Sequence, residues 1–126
     1  MLSVKDGLST ALSLLHHHSL PEPLSVTARD YGLGQHITIH VNSERSVVSY
    51  ARALGADTIS VGPDTRHRIV TFETAHNGIP VEVMSVRSPA AMIALLDSLP
   101  PKYRVMNPRA VPVDVLEEAI SGDAAA

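Results

Sequence analysis

The chain has 126 residues, the length of one ordinary domain, and it contains no cysteine, which excludes disulfides, thiolate zinc sites and cysteine nucleophiles. Its net charge of −3 and its aromatic content of 3% argue against a nucleic-acid-binding protein, which normally presents a basic face or several stacking rings. There is no secretory signal pattern and no apolar run of about 18 residues, so we expect a cytoplasmic protein without membrane association. We expect a single domain over residues 1–120 and a disordered tail over residues 121–126.

The first half of the chain predicts a helix, two strands and a second helix. Apolar residues recur at three- and four-residue steps over residues 4–17, and the predicted helix therefore has one apolar face, made of Val4, Leu8, Ala11, Leu12 and Leu15. Two prolines then precede "LSVTAR" and "HITIHV", whose alternating polarity is typical of half-buried strands. The segment "NSERSVVSYARALG" predicts a helix that Ser43 caps and Gly55 ends.

The second half contains the clearest local signal of the sequence. After a short strand, "DTISV", the segment "HRIVTFETAHNGIPVEVMSVR" joins two strand-like runs at Asn77-Gly78, a pair that suits a two-residue hairpin turn. "SPAAMIALLDSLPP" predicts a helix with Ser88 as its cap and Pro89 in its first turn. "KYRVMNPRAVP" is predicted to be extended or irregular, and "VDVLEEAI" to form one or two helical turns.

The elements therefore follow the order α-β-β-α-β-β-β-α-α. This order predicts the α+β fold class, with a mostly antiparallel sheet of about five strands and helices packed on one face. The core should be aliphatic, with Phe72 as its only large uncharged ring.

A two-residue loop at Asn77-Gly78 also fixes the register of the predicted hairpin, because each strand residue then has one partner. Val70 and Phe72 are placed on the core face. The opposite face is predicted to carry three cross-strand pairs, Ile69 with Val86, Thr71 with Met84, and Glu73 with Glu82.

Three segments resemble a pattern found in small proteins of actinobacteria and their phages. The segments are "LPEPLSV", "ITIHVNSERSVVSYARALGA" and "GIPVEVMSV", and together they span roughly residues 20–86. The shared features are a proline turn, a helix ending in "ALGA" and a late strand. The resemblance implies a phage or mobile-element context, and it carries over no activity and no catalytic residue.

Three consecutive histidines, His16 to His18, end the first helical pattern. They suit the last turn of a helix, where donors meet unpaired carbonyl groups and the negative end of the helix dipole. No two of them are three or four residues apart, so they make a poor helical chelate. A metal site or an acid-sensitive switch is the alternative interpretation.

The predicted pairing of Glu73 with Glu82 is unusual, because like charges opposite each other on neighbouring strands are unfavourable. Three interpretations are open: a solvated sheet face, a self-association surface, or a metal or acid/base site completed by His40 or His36. Large apolar side chains on the same face favour self-association over a merely solvated face. The predicted interface residues are Ile69, Thr71, Met84 and Val86.

Four arginines could form a phosphate-contacting surface if the fold gathers them on one face: Arg66, Arg68, Arg104 and Arg109. As parts of solvated loops they need no function. We expect a non-enzymatic binding or assembly domain that is homo-oligomeric, has a possible protein partner and needs no cofactor. The alternatives are a small metal-dependent enzyme using Glu73, Glu82 and His40, and a weak nucleic-acid accessory protein.

Overall fold

Alternating strands and amphipathic helices build a mixed sheet with one helical layer. A computed structural model describes the chain over residues 4–18, 20–30, 35–62, 69–76, 78–104 and 109–125. The helices in these ranges are α1 (Val4–His18), α2 (Glu44–Leu54), α3 (Pro89–Ser98), α4 (Pro101–Arg104) and α5 (Val113–Ala125). The strands are β1 (Ser25–Asp30), β2 (Gln35–His40), β3 (Thr58–Val61), β4 (Ile69–His76), β5 (Ile79–Val86) and β6 (Arg109–Pro112).

The strands form one sheet in the order β1-β2-β5-β4-β3-β6. Only β2 and β5 pair in parallel, and the other neighbours are antiparallel. The α+β class and the mostly antiparallel sheet are therefore confirmed, whereas the strand count of about five and the element order need correction. The additional strand, β6, lies in the segment predicted to be extended or irregular, and α4 precedes it. Val111 pairs with Ile59 and is fully buried, so β6 depends on a distant partner that local sequence does not reveal.

The predicted register of the β4–β5 hairpin is confirmed along its whole length. His76 pairs with Ile79, Phe72 with Val83, and the remaining pairs follow in sequence. Gly78 in the turn has a φ of 78°, a conformation that favours glycine, as the predicted turn requires.

The predicted ends of α2 and the start of α3 are also confirmed. Ser43 Oγ accepts a hydrogen bond from the Ser46 amide at 3.2 Å, and Gly55 ends α2 with a φ of 76°. Ser88 Oγ accepts from the Ala91 amide at 3.2 Å. These caps satisfy backbone groups that helix ends leave unpaired.

The buried strand residues share one face of the sheet, and they form a single hydrophobic cluster with residues of α1, α2, α3 and α5. The helices therefore pack on one face, as predicted. The opposite face has no described helix over it, and we call it the open face. Its described side chains include Ser25, Thr27, Arg29, His36, Thr38, His40, Ser60, Ile69, Thr71, Glu73, Ala75, Pro80, Glu82, Met84 and Val86.

Helix α1 uses small residues to approach the sheet. Gly7, Ala11 and Leu14 are its buried residues, and a Cβ at Gly7 would lie 3.3 Å from the Ala28 Cβ and 2.9 Å from Gln35 Oε1. The predicted apolar face was therefore displaced, because Leu8 and Leu12 are exposed. At the other end of the chain, the backbone of α5 runs from Val113 to Ala125. The division into a domain over residues 1–120 and a tail over residues 121–126 stays a prediction.

Two arginines, Arg87 and Arg52, form ion pairs that tie helices to their neighbours. Arg87, which follows β5, places Nη2 3.2 Å from Oε1 of Glu44 at the start of α2, and Arg87 is buried. Arg52 in α2 lies 2.9 Å from Asp114 and 3.0 Å from Glu117 of α5. Hydrogen bonds to the carboxylates of Glu117 and Asp114 raise the pKa of Arg52 above its usual value. All three side chains are exposed.

Tyr50 is a core residue that the sequence did not predict, since Phe72 was expected to be the only large ring there. It is fully buried in α2, and its hydroxyl donates to the Pro21 carbonyl oxygen at 2.6 Å. Burial, with a smaller contribution from the Glu22 carboxylate, raises the pKa of Tyr50 to about 12. This bond ties α2 to the proline segment between α1 and β1.

We expect Tyr50→Phe to lower the free energy of unfolding by about 1 kcal/mol at neutral pH, because the Pro21 carbonyl loses its donor. The unfolded chain ionises Tyr50 near its ordinary value of 10.0, whereas the folded chain holds the proton to about 12. The stabilising contribution of Tyr50 is therefore complete below pH 10 and falls as the pH rises through 12. Urea unfolding at neutral and alkaline pH should show the gap between wild type and Y50F shrinking above pH 10, and a constant gap would contradict this account.

Candidate functional site

Strand register arranges the open face in rows that cross the sheet. One row, which we call the methionine row, runs from Ser25 through His40, Met84 and Thr71 to Ser60. Met84 and Thr71 are half-buried in the centre of this row, and Thr71 Oγ1 donates to the Val83 carbonyl at 2.9 Å. The hydroxyl donor of Thr71 is thus satisfied within the sheet.

Next to the methionine row lies the glutamate row, which runs through Thr27, Thr38, Glu82 and Glu73. The predicted pairing of the two glutamates is confirmed. Glu73 is exposed and Glu82 is half-buried. Thr38, and not a histidine, is the neighbour of Glu82 on β2, so no cation of the neighbouring strand stands directly beside the two carboxylates.

The parallel register of β2 against β5 places His40 beside Met84. Glu82 is therefore diagonal to His40 across the two strands, and residues in such a diagonal position are about 7–8 Å apart. The ligands of one zinc ion, by contrast, each lie about 2 Å from the metal. The register therefore does not bring His40 into line with Glu82 and Glu73. Within the described ranges, no group of three or more His, Asp or Glu residues could hold a metal ion.

The four predicted interface residues lie together at one end of the open face. Ile69 pairs with Val86, and the Thr71–Met84 pair of the methionine row is two residues further along the same strands. Val86 is 49% exposed, and the other three are partly exposed. We call this group, Ile69, Thr71, Met84 and Val86, the apolar end.

The three histidines lie at the end of α1, as predicted. The helix ends at His18, and His16 is exposed. The side chains of His17 and His18 lie outside the described residues. The position of His16 fits a helix end.

The four arginines proposed for phosphate contact have different surroundings. Arg66 and Arg68 lie outside the described residues, and of Arg109 only the backbone in β6 is described. Arg104 donates to the carbonyl oxygens of Leu99 at 3.0 Å and Asp97 at 2.7 Å. It therefore binds carbonyl groups at the end of α3, which gives this cation a structural role.

Sequence reasoning missed the exposed leucines of α1, Leu8 and Leu12. The signal was present in Gly7 and Ala11, which are four residues apart and small enough for close packing on the sheet. When the small residues of a helix face the sheet, the larger apolar residues that follow them in sequence lie on the side of the helix.

Comparison of the chain with protein-family models, curated proteins and solved structures gave no match. Among the described helices, none combines the length and apolar character needed to cross a membrane.

Replacing Glu73 with glutamine tests the cost of the carboxylate pair. Glu73→Gln should raise the free energy of unfolding by about 0.2–1 kcal/mol at pH 7 and low salt, because it removes a like-charge contact. About 1 M salt should reduce the gain, since it screens exposed charges. Glu118→Gln, on the exposed side of α5, is the control and should change little. Destabilisation by E73Q in urea unfolding would show that the Glu73 carboxylate has a favourable partner.

Proposed function

We propose that the protein is a small assembly domain that binds further copies of itself through the apolar end of the open face. The observation that supports this most is the grouping of Ile69, Met84 and Val86 on a sheet face that no described helix covers. Partly exposed apolar side chains gathered on one sheet face are a typical feature of an interface. Burial of this apolar area in a second copy would supply the driving force.

The glutamate row fits the periphery of such an interface. Protein interfaces commonly have an apolar centre and a polar, solvated rim. With the apolar end at the centre, Glu73 and Glu82 stay in contact with water, where repulsion between them costs little. Self-association therefore does not require the two carboxylates to be neutralised.

The open face is large enough for a specific contact. Eight residues in β4 and β5 and six strands side by side give a face roughly 25 Å long and wide. Two sheets packed face to face lie about 10 Å apart, and a standard interface buries about 800 Å² per partner. The proposed contact is compatible with the phage or mobile-element context that the sequence resemblance implies. The absence of cysteine is compatible with a cytoplasmic location.

A single charge in the apolar end tests the proposal. Val86→Lys should weaken self-association at least tenfold, because a two-fold contact would bury two unpaired ammonium groups. Val86 is half-exposed, so the monomer should tolerate the lysine. Sedimentation velocity at about 10 to 100 µM measures the mass, and thermal unfolding shows that the variant is folded.

Ala75→Lys is the matched control, since Ala75 is exposed on the open face of β4 but lies beyond the glutamate row, away from the apolar end. It should associate like the wild type. The proposal fails if the wild type is monomeric at about 100 µM, or if Val86→Lys associates as strongly as Ala75→Lys.

A further inference from the structure

We propose that the outer edge of β1 pairs with β1 of a second copy, antiparallel and about a two-fold axis, so that two sheets become one of twelve strands. β1 ends the sheet, and among the described residues no strand pairs with its outer side. Such an edge presents a row of backbone donors and acceptors that another strand can satisfy. This contact is independent of the apolar end.

The two edges of the sheet differ in how well they are protected. β6 is only four residues long and contains Pro112, which has no amide hydrogen to donate. β1 has six residues and contains no proline, and its two charged residues, Arg29 and Asp30, are confined to its last two positions. Of the two edges, β1 is therefore the one open to pairing.

Helix α1 supplies an apolar flank beside this edge. Leu8 is 42% exposed and Leu12 is 59% exposed. Each comes one residue after a buried residue of α1, Gly7 or Ala11, and therefore lies about 100° further around the helix axis. β2 and β3 run in the same direction, although they are not neighbours in the sheet. A connection between two such strands through a helix, as by α2, is right-handed in nearly all folds. With that hand, the Leu8–Leu12 flank faces outward over the free side of β1.

Strand spacing brings the two α1 helices to packing distance. α1 contacts both β1 and β2, so its axis lies roughly between them. With strands about 4.8 Å apart across the new contact, the axes of α1 and its symmetry mate would be about 10 Å apart. This matches the 8–10 Å at which helices normally pack.

The positions of Leu8 and Leu12 along the strand direction also fit one register between the two β1 strands. Gly7 lies against Ala28, and Leu8 and Leu12 stand about 1.5 and 7.5 Å further along the helix axis. They therefore fall on opposite sides of the level of Thr27, about 3.3 Å from Ala28 along β1. A two-fold axis at Thr27 places Leu8 of one copy opposite Leu12 of the other.

The same register is free of like-charge contacts within β1. With Thr27 opposite its own symmetry mate, Arg29 lies opposite Ser25, and Val26 lies opposite Ala28 of the other copy. Paired residues point to the same side of the sheet, as antiparallel pairing requires. Leu24, which precedes β1 and is 63% exposed, adds apolar area at the ends of the contact. The strand and the leucines together suit the low end of specific interfaces, about 1,000 Å² in total.

The test combines a double variant with amide exchange. Leu8→Gln/Leu12→Gln keeps helix-forming residues and removes the apolar flank, so it should raise the dissociation constant of this contact at least tenfold. Ile93→Gln is the matched control, because Ile93 is 49% exposed on α3 and lies away from β1. Sedimentation velocity gives the mass, and hydrogen exchange at about 5 and 200 µM should slow the β1 amides at the higher concentration, with β6 amides unchanged.

The proposal is overturned if β1 amides exchange equally at both concentrations, or if the Leu8→Gln/Leu12→Gln variant associates like Ile93→Gln. The two contacts can be told apart. Loss of association in Val86→Lys with no concentration effect on β1 would leave the open-face contact and reject the edge contact. The opposite pattern would support the edge contact and reject the open-face one.

Discussion

The parallel pairing of β2 with β5 is the constraint on which the arrangement of this molecule depends. It joins the β1–β2 hairpin to the β5-β4-β3-β6 half of the sheet, and it aligns Thr38 with Glu82 and His40 with Met84. The helices cover one face of the resulting sheet, so every strand residue is assigned either to the core or to the open face. A one-residue change of register between β2 and β5 would send Ile37 and Ile39 to the wrong side, and their complete burial makes such a change costly.

The sequence alone predicted the features that depend on residues close together in the chain. Asn77-Gly78 sets a turn, and the turn sets the hairpin register, which is why the Glu73–Glu82 pair could be found before the fold was known. Ser43 and Gly55 act on α2 through their own backbone neighbours. These features follow from conformational preferences and hydrogen bonds within a few residues.

Contacts between distant segments could not be predicted in the same way. Nothing near His40 in the sequence says that Met84 will be its neighbour, and nothing near Val111 says that Ile59 will be. Tyr50 was overlooked because the Pro21 carbonyl that accepts its hydrogen bond is 29 residues away. The exposed Leu8 and Leu12 were misassigned because helical periodicity alone does not say which part of a broad apolar face meets the sheet.

Both proposed contacts follow from one feature, a single helical layer on a sheet with an unprotected edge. Within the described ranges, no helix covers the open face and no strand pairs with the outer side of β1. A two-fold axis that packs two open faces together lies between the two sheets and parallel to them, whereas the axis of the β1 contact is perpendicular to the sheet. The two contacts can therefore coexist in one closed assembly with perpendicular two-fold axes, a common symmetry of soluble oligomers.

Solvent access to the Met84 methyl group tests the central claim most directly. Met84 lies at the apolar end, whereas Met92 is fully buried in the core and serves as an internal reference in the same spectrum. Methyl NMR with a soluble nitroxide should show strong relaxation of Met84 at about 10 µM and a decline toward the Met92 value at about 500 µM, as the open faces cover each other. Equal relaxation of Met84 at both concentrations, with Met92 protected throughout, would contradict the account.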